Sequence, residues 1–276
     1  MDGKAVITCD VLGYHPGTNN GLGNQMFCIA STLALAAKNG TIATFPDLQL
    51  EHYRYYGETI FHKLNKIGTK DFVSFVYREP PYSSTVYSKI PFSEGMKISG
   101  HFQSYKYFES CRDLIVDNFT PTDEIIDKIH TKYKKYLSKK TASLHIRRGD
   151  YTKIAGNYAI LGPDYYKKAL ASIGNVDYIF IFSDDIEWCR ENINFLESKN
   201  TIFISDQTDV EDLWLMSLVE NNIIANSTFS WWAAYLNQNK NKKVIYPSKW
   251  FGPKRTNNNA LETKDLFPEE WIKIQC

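Results

Sequence analysis

Short apolar runs alternate with amphipathic stretches along most of the chain. Residues 5–12 are apolar, residues 17–23 are rich in Gly and Asn, and residues 24–38 are Ala-rich with apolar positions at helical spacing. This pattern predicts a strand, a loop and a helix. Lys38-Asn39-Gly40 is a helix stop, and residues 41–45 read as a second strand. Residues 53–66 mix aromatic and polar side chains with no period that assigns them. Residues 72–77 and 97–102 read as further strands on either side of the turn-rich segment Glu79-Pro-Pro-Tyr-Ser-Ser84.

Beyond Thr120-Pro-Thr-Asp123 the pattern becomes regular. A proline followed by acids opens a helix over residues 123–137, whose basic end suits the helix dipole. Strands over 142–146, 178–182, 201–204, 223–225 and 243–246 then alternate with helices over 164–172, 185–192, 210–219 and 229–236. A repeated strand–helix unit requires a parallel sheet covered by helices on both faces. The expected class is α/β, in two halves over residues 1–139 and 140–276 with a cleft between them.

With 276 residues, 43% of them hydrophobic and 14% aromatic, the chain has the composition of a globular protein. Lys and Arg total 32 against 31 Asp and Glu, so no global field recruits nucleic acid or anionic lipid, and anion binding must come from local clusters. The five cysteines are scattered and form no C-x-x-C pair. That fits a reducing compartment and a cytoplasmic protein, so the sequons at Asn39, Asn118 and Asn226 read as coincidences. No apolar run is long enough to span a bilayer, while peripheral membrane association stays open.

Four polar signatures fall on expected strand-to-helix turns. Gly21-Leu-Gly23 either makes a tight turn or cradles a phosphate with its N–H groups; it lacks the third glycine of a dinucleotide loop and the lysine of a Walker A loop. His145-Ile-Arg-Arg-Gly-Asp-Tyr151 follows directly on a strand, where α/β sheets place ligands, and Arg147 and Arg148 offer forks suited to phosphate. The plainer reading is an Arg148–Asp150 pair that staples the turn. In Phe182-Ser-Asp-Asp185, Ser183 or Asp184 is placed to cap a helix, and one of the two acids is left to accept from a ribose or from the N–H edge of a guanine. In Asn226-Ser-Thr-Phe-Ser-Trp-Trp232, the hydroxyls of Ser227, Thr228 and Ser230 cap the helix or bind phosphate, and the two tryptophans read as core. No third acid accompanies Asp184 and Asp185 at metal-ligand spacing, so no metal site is expected.

The heptapeptide at 145–151 resembles the H-x-R-R-x-D signature of the α-1,2-fucosyltransferases and of the related α-1,6- and protein O-fucosyltransferases. Gly21-Leu-Gly-Asn-Gln-Met-Phe27, Gly100-His-Phe-Gln-Ser-Tyr-Lys-Tyr-Phe108, Pro163-Asp-Tyr-Tyr166, Phe182-Ser-Asp-Asp185 and Ser227-Thr-Phe-Ser-Trp-Trp232 stand in the order of the bacterial-type α-1,2 family, so the likeness spans nearly the whole chain. It implies a GT-B-like fold of two Rossmann-type domains, acceptor-side in the first half and holding GDP-β-L-fucose in the second. It also implies inversion at the anomeric carbon, no metal or other cofactor, and O-2 of a terminal β-galactoside on a glycan as acceptor. Carried over, Arg147 takes the β-phosphate, His145 and Asp184 or Asp185 the guanosine, Ser227, Thr228 and Ser230 the diphosphate, with Arg148 beside them. Gly21, Gly23, Asn24 and Gln25 approach the sugar from the other domain. Asp150 is the carboxylate nearest the chemistry and either serves as base or orients the arginines. The segment His15-Pro-Gly-Thr-Asn-Asn20 departs from the family, whose members pass almost at once from strand to Gly-Leu-Gly-Asn-Gln. The rival readings are a nucleotide-sugar or glycan-binding module without turnover, and a nicotinamide oxidoreductase, against which the missing third glycine counts.

Overall fold

The computed structural model describes residues 6–10, 21–68, 72–80, 85–154, 156–193, 200–256 and 263–276. The departing segment 15–20 lies outside them. The chain forms two compact units, Met1–Thr122 with Ala260–Pro268, and Asp123–Asn259 with Glu269–Cys276. The expected boundary at 139/140 falls inside the second unit because α4 (Asp123–Leu137) belongs to that unit's core. Its Tyr133 and Tyr136 meet Phe180 edge to face, with ring centroids 5.8 and 6.0 Å apart.

In the first unit the described strands β1 (Val6–Cys9), β2 (Ile42–Ala43), β3 (Phe75–Arg78) and β4 (Met96–Ser99) form a parallel sheet in the order β2-β1-β4-β3. Helix α1 (Leu22–Lys38) begins before residue 24, so Gly23, Asn24 and Gln25 form its first turn rather than a loop, and Gly21 is its N-cap. Most of its circumference is buried, as its Ala-rich, nearly continuous apolar surface requires. Gly40 at φ +65° turns the chain out of the helix. Helices α2 (Glu51–Glu58) and α3 (Arg112–Asn118) complete the unit; α2 occupies the start of the stretch whose mixed polarity gave no period.

Six strands build the sheet of the second unit: β5 (Thr141–Ile146), β6 (Tyr178–Ser183), β7 (Asn200–Phe203), β8 (Asn221–Ile223), β9 (Val244–Pro247) and β10 (Ile272–Ile274). All pairs are parallel, and their order β10-β9-β8-β5-β6-β7 is that of a dinucleotide-binding sheet. The strand order therefore reverses between β5 and β8, and the crevice for a ligand opens at their carboxyl ends. Central β5 is buried at every position. Ala142, Leu144 and Ile146 pack on one face against Tyr165, Ala169 and Leu170 of α6 (Pro163–Ile173). On the other face the buried Asn222 amide donates to Ser143 Oγ at 2.9 Å and to the Met216 carbonyl at 2.7 Å, and accepts from Asn237 Nδ2 at 2.8 Å. These bonds satisfy polar groups that would be costly to bury alone. They also tie β5 and β8 to α8 (Asp209–Leu218) and to the end of α9 (Thr228–Leu236). Trp231 and Trp232 are fully buried, as expected.

Candidate functional site

At the switch point, β5 ends on His145-Ile146 and the chain turns through Arg147 and Arg148 into α5 (Gly149–Lys153). Asp184, just past β6, holds this turn from both sides. Its Oδ1 accepts from the Arg148 N–H at 2.9 Å and its Oδ2 lies 3.1 Å from Arg147 Nη1. A Cβ at position 149 would stand 2.3 Å from Asp184 Oδ2, so only glycine lets the carboxylate reach so close. The Arg147 guanidinium is gripped on its other nitrogen by Asp150 Oδ1 at 2.7 Å. The pair within the signature is thus Arg147–Asp150, not the Arg148–Asp150 staple.

Arg148 points elsewhere. Its Nε donates to Asp185 Oδ2 at 3.4 Å, and its guanidinium lies over the Trp188 ring at 3.4 Å. Trp188 sits on α7 (Ile186–Asn192), and its part in holding Arg148 has no signal in the sequence spacing. Of the two expected capping residues, Ser183 and Asp184, the acid makes no cap bond and the serine accepts one N–H just before the helix. Asp185 occupies the N-cap position of α7 without a side-chain cap bond, and the Ser183 hydroxyl accepts from the Asp185 N–H at 3.0 Å instead. Both carboxylates are drawn to the stronger, charged donors. Asp184 has both oxygens engaged, whereas Asp185 keeps its Oδ1 unengaged among the described residues and is 40% exposed.

His145 is buried, and its ring lies 5.8 Å from Phe229 in the first turn of α9. Burial, with the Arg147 charge next, lowers its pKa to about 3, so the imidazole is neutral near pH 7. Its Nδ1, Arg147 Nε and Asn226 Oδ1 are buried polar atoms without a hydrogen-bond partner, all at the ends of β5 and β8. Buried polar atoms are seldom left unpaired, and a cluster of them marks a place built for a polar ligand. At the start of α9, Ser227 is the cap, its hydroxyl accepting from the Phe229 N–H at 3.3 Å. Ser230 is fully buried and donates back to the Ser227 carbonyl, so it faces the interior, while Thr228 is half-buried in the first turn.

An aromatic strap borders the turn. Arg147 lies 5.3 Å from the Tyr151 ring, Tyr151 stacks on Tyr158 at 4.3 Å, and Arg255 of α10 (Pro253–Thr256) covers Tyr158 at 4.6 Å. Tyr151 Oη donates to the Asn226 carbonyl at 3.1 Å, joining the β5 and β8 turns. Tyr158 and Arg255 carry no motif, and the pattern of the sequence does not reveal them.

The remaining candidates, Gly21, Gly23, Asn24 and Gln25, lie in the first unit at the start of α1. Asn24 Oδ1 accepts from Gln103 Nε2 at 2.9 Å, joining the first turn of α1 to the segment beyond β4. Beside it, Glu79 accepts from the His101 and Phe102 N–H groups at 2.7 and 3.0 Å. Among the described residues no group of three or more His, Cys, Asp or Glu gathers as metal ligands do, all five cysteines are free thiols, and no helix is long and apolar enough to cross a membrane.

This arrangement presents a fixed cation, neutral imidazole and unpartnered polar atoms at a parallel-sheet switch point, a geometry able to accept an anionic ligand. Among solved structures, the chain resembles the fucosyltransferase NodZ from Bradyrhizobium with a TM-score of 0.53 at 12% identity, over 83% of this chain and 92% of that one. It resembles POFUT1 in complex with GDP with a TM-score of 0.52 at 12% identity, over 89% and 98%. The fold is therefore GT-B-like. Two Escherichia coli relatives are nearer in sequence. An O-antigen biosynthesis glycosyltransferase, WbnK, is 34% identical over 67% of this chain and 63% of its own length. An alpha-1,2-colitosyltransferase is 32% identical over 92% and 96%. A galactoside alpha-(1,2)-fucosyltransferase of Rattus norvegicus is 24% identical over 92% of this chain and 74% of its own. The model of glycosyl transferase family 11 matches residues 13–275, and the protein is a glycosyltransferase of that family.

Proposed function

We propose that the protein transfers L-fucose from GDP-β-L-fucose to O-2 of a terminal β-galactoside on a glycan, with inversion. The second unit holds the donor and the first faces the acceptor. The observation that carries this reading is Arg147: a guanidinium fixed at the switch point, its Nε unpartnered, just past β5, whose neighbour β8 leads into α9. Breaking the bond between the fucose C1 and the phosphate oxygen places negative charge on the departing GDP. Arg147 and the N–H groups opening α9 stabilise that charge without having to reorganise. Ser227 and Thr228 line the same turn, whereas Ser230 supports it from within. Neutral His145 offers Nδ1 to the guanosine moiety, and Asp185, with an oxygen to spare, suits the paired N–H groups of guanine.

Asp150 holds Arg147 in the free protein. When phosphate takes the guanidinium, this carboxylate is released at the reacting edge. There it takes the proton of the acceptor hydroxyl, directly or through a water, as the new bond from C1 to that oxygen forms and GDP leaves. Gly21, Gly23, Asn24 and Gln25 serve the sugar of the donor. The reaction uses no metal, and the free thiols suit a reducing, cytoplasmic setting. The test is incubation with GDP-fucose and a panel of β-galactosides, with the product linkage read by NMR. An α-1,2-fucosyl product is the expected result. Transfer from GDP-colitose but not from GDP-fucose would replace the donor, and no transfer to any galactoside would overturn the acceptor.

A further inference from the structure

A cavity of about 610 Å³ lies in the first unit, lined by Ser31, Leu35 and Lys38 of α1, by Tyr87, Lys89 and Phe92 of the segment leading to β4, and by Tyr107. Ser31 is about 14 Å along α1 from its first residue. The cavity is thus set apart from the turn carrying Asn24 and Gln25, and none of the residues assigned above lines it.

Three observations give this cavity its chemistry. The Ser31 hydroxyl is at its floor, 1% exposed and without a hydrogen-bond partner, a state that buried polar groups rarely keep unless something else completes them. Two lysines border it. Lys38 donates one hydrogen bond to the Tyr107 carbonyl at 3.1 Å, and among the described residues neither Lys38 nor Lys89 is in an ion pair. Two cations at one cavity with no acid among its described lining residues favour an anion between them. The third observation is the aromatic wall, Tyr87 and Tyr107 with centroids 5.0 Å apart, in which Tyr107 is buried and Tyr87 is 40% exposed. The wall is itself anchored, since the Ser88 N–H donates to the Tyr107 hydroxyl at 3.2 Å and the Tyr87 N–H to Asp265 Oδ2 at 2.9 Å. A fixed, half-exposed ring with polar groups around it offers one flat apolar face and several hydrogen bonds, which is what a pyranose ring needs.

We infer that this cavity is a second saccharide site, for a sugar residue bearing a carboxylate. The ring of the sugar lies against Tyr87, a hydroxyl reaches Ser31 Oγ, and the carboxylate sits between Lys38 and Lys89. Such a site would hold a sugar of an acidic glycan independently of the nucleotide.

The test is calorimetric titration of the intact protein, saturated with GDP, with methyl β-D-glucuronide and with methyl β-D-glucoside at low ionic strength. The expected result is saturable binding of the glucuronide, tighter than the glucoside by at least about tenfold, as a charge-assisted contact implies. Lys89→Glu should remove that preference, and Tyr87→Ala should weaken both sugars. Both changes are at the surface of the cavity, so GDP affinity in each variant should equal that of the parent and serves as the check on folding. No saturable binding, equal affinity for the two sugars, competition by GDP, or unchanged binding in both folded variants would each overturn the proposal. Fucose transfer is not a readout here, and repeating the titrations without GDP, with thermal melting as the check on folding, keeps this result separate from the donor assignment.

Discussion

Arg147 is held by two carboxylates in the free protein, Asp150 at 2.7 Å and Asp184 at 3.1 Å. Such a clamp fixes the guanidinium plane, and in the proposed reading a phosphate takes over from the carboxylates. A lysine in its place keeps the charge but loses the planar fork. Arg147→Lys should fold normally and lose about a hundredfold or more in kcat, measured as GDP release. The two acids after β6 separate by what they touch. With both oxygens of Asp184 committed to the turn, the proposed reading gives base selectivity to Asp185, and losing a charged hydrogen bond to guanine costs about 1.5 to 3 kcal/mol. Asp185→Asn should therefore weaken GDP about ten- to hundredfold, and the parent should bind ADP and UDP poorly. Calorimetry with the three nucleotides reads both effects, and equal affinities would remove Asp185 from the donor site.

The α4–α8 pair carries a device of its own. Thr208 and Glu211 form a reciprocal capping box at the start of α8, Lys128 of α4 pairs with Glu211 at 2.6 Å, and Tyr133 of α4 donates to Gln207. Beside them Asp212 accepts from Gln207 Nε2 at 2.9 Å, and burial, with Asp209 and Glu211 adding to it and Lys132 opposing, pushes its pKa up to about 7. The fold thus favours the protonated acid. Its contribution is complete below the unfolded value of 3.8 and is lost as the pH rises through about 7. Urea unfolding should show stability falling from pH 5 to pH 8, and Asp212→Asn should flatten that slope. The elements themselves were legible in the sequence wherever their period was clean. The strands of the second sheet and the helices between them follow from regular alternation, and α4 spans the expected 123–137. Short β10 and the single turns α5 and α10 lie below the length at which a period shows. The residue types of the candidate site were legible, and the motifs at 145–151, 182–185 and 226–232 sit at or just past strand ends as expected, whereas Gly21 and Gly23 open α1 well beyond the end of β1. The pairing within the site was not. That Arg147 takes Asp150 while Arg148 takes Asp185 and Trp188 depends on the path of the turn through Gly149, which spacing alone does not set.

At the scale of the molecule, the proposed mechanism gives charge stabilisation to Arg147 and a helix end, so fucosyl transfer should survive excess EDTA. Loss of transfer on chelation and its return with Mg²⁺ or Mn²⁺ would make Asp184 and Asp185 metal ligands instead. The two units are not two consecutive halves of the chain, because Ala260–Pro268 returns to the first unit before Glu269–Cys276 finishes the second. In that returning segment Asp265 is bound by Lys106 at 2.6 Å and by the Tyr87 N–H, and its carbonyl accepts from Ser104. Burial works against its ionisation, but Lys106 and the Tyr87 N–H outweigh this and hold its pKa below the ordinary value. This interleaving bears on how the family could be recombined. A chimera that exchanges first units by one crossover at 122/123 would bring together a Lys106, Ser104 and Tyr87 of one parent and a residue 265 of another. One that also carries 260–268 from the first parent keeps the clamp native. The three-crossover chimera, joined at 122/123, 259/260 and 268/269, should melt higher and be recovered in better soluble yield, so the inheritable module of this enzyme is a discontinuous one.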